Sequence, residues 1–504
     1  MLLDILQSLL GICLPALAAW GISVLIYRIY FHPLADVPGP LLGRMFHFYS
    51  FWYNLNGGRF YLQISKLHAM YGPVVRITPS EIHLSDPKDC DKVYSVGSNY
   101  GKDPSFYGSF GTSKATFTTC NPHLHRAKRA VLNPLFSQKR VSELEEHIQQ
   151  KVILLIARIR QSLAVTGEIN LHQAFRALAI DVVTDYAFDQ CYNFLERPDF
   201  GIGFFDMIRS LGPGVWVFNQ FPLLQPIALA TPLWLAKLTS KSLSKMMIHR
   251  LECRRQILHI KEKVENKEPI DRTTIFDQLL RSETVKNGTV STVQELEDEA
   301  YVILAAAADT TGNALTRAAY HIVRNIGIYT TLSKELQIAF PDENSNMDYK
   351  SLKALPYLTG IVKEALRLSS GVPGRLPRIV PCGDAEFHNY HVPEGTVVSM
   401  SPWTVNYNEN IFPNPEEFYP SRWIDPVQSK KMDKYLFSFG KGSTQCIGIS
   451  LAYSELYIVL GRFFRTFRDL KTRHRSRTEL LYNDYFSGFY TEENNDFIFR
   501  CMNA

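Results

Sequence analysis

The chain of 504 residues is notable first for what it does without. Eight cysteines lie at positions 13, 90, 120, 191, 253, 382, 446 and 501, and none belongs to a CxxC pair. That spacing excludes the common zinc sites, and a chain of this size needs no disulfide framework, so reduced thiols in a reducing compartment are expected. Charge of one sign is nearly balanced, with a formal net charge of +5 and a pI of about 8.6. So mild an excess gives no argument for nucleic acid. There is no GxGxxG run, hence no sign of a built-in flavin or nicotinamide module. Internal repeats and low-complexity tracts are also missing, and no second linker follows the first proline-rich one.

One absence is local. From Ile5 to Tyr27 no residue is charged, with Asp4 before the run and Arg28 after it. As a helix it would span roughly 34 Å at about 1.5 Å per residue, enough for a bilayer. Arg28, Arg44, Arg59 and Lys66 follow, which places the body on the cytosolic side by the positive-inside tendency. Ala16-Leu17-Ala18 could pass for a signal-peptide cleavage site, but a basic leader is missing and the apolar run continues beyond it. Next comes FHPLADVPGP, a proline-rich hinge expected to be stiff and non-helical. The expected organisation is an anchor at 1–30, a hinge at 31–45 and one large domain at 46–504.

Within that domain helical periodicity dominates. Residues 137–164 and 232–265 read as long amphipathic helices, and 300–325 as a buried one. Residues 74–84 read as a hairpin, and strands are expected near 378–388 and 395–401. The fold class is therefore mainly α with small β-sheets.

Three stretches carry chemistry. In FGKGSTQCIG, Gly440, Gly442 and Gly448 permit close backbone approach around Cys446. Peptide N–H groups and the start of the following helix would favour a thiolate there. With no histidine in the segment, a metal ligand fits better than a nucleophile. In the buried helix, Ala305 to Ala308 leave room for a cavity, and Asp309, Thr310 and Thr311 follow at once. An acid and hydroxyls in an apolar helix need partners. A proton path is one reading, and a cap on a second helix after a break is the other. Glu364 and Arg367 share one helical face, and Arg422 lies in a proline-bound coil, FPNPEEFYPSRW. A carboxylate forked between two arginines would pin that coil, and with it the cysteine loop.

On these residues the chain resembles the cytochrome P450 haem-thiolate monooxygenases of the membrane-bound eukaryotic type, over essentially its whole length. Phe439, Gly442, Cys446 and Gly448 match the family's F-x-x-G-x-R-x-C-x-G loop. Glu364 and Arg367 match E-x-x-R, Arg422 matches the arginine completing that triad, and residues 305–311 match the oxygen-activating helix. The resemblance implies the P450 fold and haem b (iron protoporphyrin IX) on Cys446. It implies propionate donors at His125, Arg129 and Arg378, a shielding role for Phe439, and proton handling by Asp309 and Thr310. It also implies electrons from a separate NADPH-cytochrome P450 reductase, with cytochrome b5 as a second donor. Lys128, Lys139, Arg140 and Lys441 are candidates for the docking surface. The implied location is the endoplasmic reticulum membrane, single-pass, with the catalytic domain cytosolic. Thr444 departs from the pattern, because the family usually has arginine there. From sequence, Thr444→Arg is expected not to lower haem occupancy.

The segments 101–117, 212–224, 369–374 and 486–490 are expected to line a lipophilic pocket. RALAIDVVTDYAF, ERPDFG and EALRLSSGVPGRLPR resemble fungal secondary-metabolism members of the trichodiene-oxygenase-like group. That implies a terpenoid substrate, with a polyketide, alkaloid or fatty-acid-derived one as alternative. A haem protein without turnover and a thiolate-haem isomerase or dehydratase are the readings from other classes.

Overall fold

The computed structural model describes residues 2–268, 273–281, 292–473, 480–491 and 497–501. The architecture is mainly helical with small sheets at one side. The first helix, Leu2–Ile26, runs into a π-helical turn at Tyr27–Phe31. Its Cys13–Phe31 stretch is long and apolar enough to cross a membrane, and none of it is buried. The hinge is less extended than expected. Proline ends at Pro40, and Leu41–Met45 form a short helix after it. Arg44 ties this turn back to the carbonyls of Ile29 and Ala35.

The longest helix among the described residues is the central one, Val293–Arg324, opened by a capping box between Thr292 and Glu295. It is longer than expected and has no break, so Asp309 caps nothing. The residues from Ala308 to Ala319 are buried except Thr310, so most of its circumference is enclosed. Against it pack Leu171–Ala187, Pro356–Ser369 and Ile449–Thr466. The two long amphipathic stretches are each divided. One becomes Gln138–Glu143 and Glu145–Thr166, the other Leu233–Thr239 and Lys241–Glu265. Ser240 makes the second division by capping the helix that follows it.

The expected hairpin is present as Val74–Thr78 and Glu81–Leu84. It heads a five-stranded sheet continued by Val397–Ser399, Arg378–Ile379 and Gly101–Lys102. A second hairpin, Tyr482–Tyr485 with Ser487–Tyr490, reaches the central helix, where Asn313 donates to the Gly488 carbonyl at 2.6 Å. The second hairpin, the edge strands Arg378–Ile379 and Gly101–Lys102 and the middle of the central helix border an interior cavity.

Candidate functional site: a cysteine beneath an apolar cavity

The cysteine loop is shaped by its glycines. Gly442 has φ +69°, and a Cβ there would sit 1.9 Å from the Tyr94 carbonyl oxygen. Only glycine lets this turn close on its neighbour. The Cys446 N–H donates to the Phe439 carbonyl at 2.9 Å, which folds the loop over the sulfur. The helix behind it starts at Ile449, with Gly448 as its cap. Cys446 is deep within the protein, yet its side chain is open to the cavity. Burial pushes its thiol up, and the Gly448 N–H and Arg129 only partly oppose this. A bound metal cation outweighs both influences, because it deprotonates a coordinating thiol outright.

The loop is held by the charge triad. The Glu364 carboxylate is wholly buried and accepts five hydrogen bonds. Arg367 supplies two at 3.0 and 2.7 Å, Arg422 one at 3.0 Å, Trp423 one at 2.8 Å and the Tyr419 N–H one at 3.0 Å. Arg367 also reaches the carbonyls of Asn406, Pro415 and Glu417. Asn406 in turn accepts the Phe437 N–H and donates to Ser438, just ahead of Phe439. The coil from Asn406 to Ser438 is thus pinned to the helix, and it delivers the cysteine loop.

Above Cys446 lies a cavity of about 440 Å³. Ala305, Ala306, Ala307 and Thr310 line it from the central helix. The Thr310 hydroxyl donates to the Ala306 carbonyl at 2.9 Å, the bond back along the helix expected from the sequence. Asp309 does not line the cavity. Its carboxylate meets Arg176 at 2.7 Å, with both side chains buried. Burial raises the Asp309 carboxyl, while Arg176 and Arg209 oppose that rise. Gly312 makes the ion pair possible, since a Cβ there would lie 2.6 Å from Arg176 Cγ.

At the edge of the cavity four basic side chains gather. His125, Arg129 and Arg378 are among the lining residues, and Lys102 joins them. His125 is driven down to about 3 by burial and by Lys102, Arg129 and Arg378, so its imidazole is neutral. Arg129 leaves its buried Nε without a partner. Burial, then Arg378, lowers Lys102 to about 7. Sequence reading missed Lys102; its one signal was a lysine ahead of a run rich in aromatic residues.

Of the segments expected to line the pocket, 101–117, 369–374 and 486–490 do so, through Phe110, Val372 and Phe486 among others. In 212–224 the expectation holds for Gly212 and Val215, but Phe221, Leu223 and Leu224 point to solvent. Phe221 joins Phe48 and Trp52 through the Phe51 ring, 5.6 Å from its own, and Ile227, Trp234 and Leu238 are exposed apolar residues on the two short helices that follow. Phe439 packs on Tyr453, with ring centroids 5.5 Å apart, beside the sulfur.

The donor set decides which metal group fits. Among the described residues no cluster of three or more His, Cys, Asp or Glu could hold an ion. A metal on Cys446 must bring its own remaining ligands. A basic edge with an unpaired guanidinium nitrogen suits carboxylates, and alanines opposite the sulfur leave room for a flat macrocycle. Haem has these features.

The chain matches the Cytochrome P450 family model over residues 37–496. The protein belongs to the cytochrome P450 family. It is 36% identical over 481 residues to Cytochrome P450 monooxygenase MO6277 of Ascocoryne sarcoides, covering 92% of this chain and 93% of that protein. Identity to Cytochrome P450 monooxygenase macH of Penicillium terrestre is 32% over 494 residues, 95% and 96% of the two chains. To Cytochrome P450 monooxygenase BOT1 of Botryotinia fuckeliana it is 31% over 465 residues, 90% and 89%. As a cytochrome P450, the chain uses haem as cofactor and is an oxygen-incorporating oxidoreductase.

Proposed function

We propose that this P450 oxidises a lipophilic secondary metabolite, a terpenoid in the first instance, with electrons from an NADPH-dependent reductase on the same membrane. One observation carries the reading. Cys446 and Thr310 share one cavity whose remaining lining is largely aliphatic and aromatic.

Haem, when bound, supplies oxygen activation and C–H oxidation, with a thiolate ligand favouring O–O cleavage. The chain's own residues do the rest. Cys446 would hold the haem iron through its sulfur, and Phe439 would shield that sulfur. His125, Arg129 and Arg378 would take the propionates, the neutral imidazole by donating an N–H. Phe110, Phe117, Val372, Phe486 and Phe489 exclude water and orient an apolar substrate. The Thr310 hydroxyl holds a proton at the cavity wall. Asp309 acts one step behind it, from its ion pair with Arg176.

Residues 1–30 serve as a single-pass anchor in the endoplasmic reticulum membrane, with the catalytic domain cytosolic. The exposed apolar residues around Phe221 and Trp234 suit a body lying against that membrane. For reductase docking the four candidate cations are unequal. Lys128 bonds the Lys114 carbonyl and sits 3.6 Å from Glu295, Lys441 pairs with Asp91 at 3.2 Å, and Arg140 pairs with Glu143 at 2.8 Å. Lys139 is exposed and offers the most accessible charge of the four.

The test is expression with a reductase and NADPH, feeding terpenes beside polyketide, alkaloid and fatty-acid probes. NADPH-dependent product from a terpene, a thiolate-type carbonyl spectrum of the reduced protein, and loss of both in Cys446→Ser are the expected results. Product formed without NADPH would point to an isomerase or dehydratase instead, and bound haem with no turnover of any probe would refute the oxidising role.

A further inference from the structure

Lys102 and Arg378 face each other directly across the antiparallel pair Gly101–Lys102 and Arg378–Ile379. Like charges in that position repel. Both are more than nine-tenths buried. Their hydrogen bonds do not relieve the repulsion. Lys102 donates to the carbonyls of Phe117 at 2.6 Å and Thr116 at 3.5 Å. Arg378 donates to the Tyr107 hydroxyl, the Pro377 carbonyl and the Thr444 hydroxyl, each at 2.8 Å. None of these acceptors is a carboxylate. Arg129, with its Nε unpaired, lines the same cavity. Glu299, an acid in the lining, accepts the Thr116 N–H at 2.8 Å and lies close enough to raise Lys102 and Arg129, one carboxylate set against three basic side chains. Set against Arg378, Lys102 keeps its full charge only when further anionic charge comes close to the pair.

Thr444 stands within this arrangement. Its hydroxyl accepts from one arm of Arg378 while Tyr107 accepts from the other, so the guanidinium is fixed from two sides. An arginine at 444 would replace that acceptor with a cation carrying only donors.

We propose that Thr444 is a positioning residue, holding Arg378 toward the carboxylates of bound haem, and that Lys102 carries the charge an arginine in the cysteine loop would bring. The inference rests on the haem-thiolate reading, and it reverses the expectation drawn from sequence for Thr444→Arg. An added arginine displaces Arg378 instead of restoring a contact.

The experiment measures the rate of haem loss from the purified holoenzyme to an excess of an apo-haem-binding scavenger protein. Thr444→Val, Thr444→Arg and Lys102→Met should each lose haem about tenfold faster, the weight of one charge-assisted hydrogen bond. Thr444→Ser, which keeps the hydroxyl, should stay within about twofold of wild type. The double variant Lys102→Met with Thr444→Arg should lose haem more slowly than Thr444→Arg alone, because the number of cations is restored. Wild-type haem retention in Thr444→Val, or in Thr444→Arg, overturns the proposal. So does a double variant whose loss is merely the product of the two single effects. If Thr444→Arg cannot be purified with haem, the Val and Ser comparison decides. A wild-type protein whose reduced carbonyl complex lacks the thiolate-type band refutes the haem-thiolate reading itself, a separate outcome from any of these.

Discussion

Replacing Arg176 by methionine tests how the acid of the central helix is managed. The Arg176 and Asp309 side chains are 5% and 2% exposed and meet at 2.7 Å. Arg176 also lies 4.0 Å over the Phe205 ring, a contact that methionine keeps in part. Removing the guanidinium leaves a buried carboxylate without its ion-pair partner, which costs about 3–5 kcal/mol. Asp309→Asn leaves the reverse fault, a buried guanidinium without its counter-ion. The double variant removes both charges, so it should recover about 2 kcal/mol of the summed losses. Urea unfolding of the holoenzyme, followed by circular dichroism, measures all four proteins. The pH dependence has a definite sign. Burial already raises the Asp309 carboxyl, and loss of Arg176 raises it further. The folded state then holds the proton more tightly than the unfolded chain. The defect of Arg176→Met is accordingly small in acid and grows as pH rises above the ordinary carboxylate range. An Arg176→Met protein within about 1 kcal/mol of wild type near neutral pH, or strictly additive losses, would refute the reasoning.

Glu364→Gln should be severe: an amide cannot accept from all five donors, and about 3–5 kcal/mol of buried ion pairing goes with the charge; yield of folded, haem-loaded protein reads it, and normal yield counts against the pinning role. Asp484 is raised by burial to about 7, so wild type carries no penalty below about pH 4 and the full penalty above about pH 7. Asp484→Asn keeps an acceptor for the Phe486 N–H, now at 2.9 Å, and should gain stability over wild type near pH 8 but not near pH 4; an equal difference at both is the contrary result. Trp234 and Leu238 are 65% and 78% exposed. Changing both to aspartate should reduce binding of an anchor-deleted protein to vesicles about tenfold or more, at about 1.5–3 kcal/mol per buried apolar side chain; unchanged binding would remove these residues from the membrane contact.

What could be read from the sequence is what neighbouring residues decide. Glycines at fixed offsets from Cys446 announce a tight loop, and Glu364 and Arg367, three apart, share a helix face whatever the tertiary structure. The direction of Asp309 was not legible as an active-site group, and the reason is geometric. Asp309 and Thr310 are adjacent, so their side chains diverge by about 100° around the helix. When Thr310 faces the cavity, Asp309 must face a neighbouring element, and its environment is set by Arg176 on a helix more than a hundred positions earlier in the chain. Lys102 was missed for the same reason, since its significance comes from pairing with Arg378 in a sheet of distant strands. The uncharged run from Ser210 to Ala236 was visible, but absence of charge does not say which apolar surface a residue joins. Gly212 and Val215 turn to the cavity, whereas Phe221 and Leu223 turn outward. Local pattern thus specifies the ligand and its support. Whether a nearby charge is free to act depends on partners brought in from far along the chain, and for Asp309 the Arg176 and Asp309 double-variant cycle measures that dependence directly.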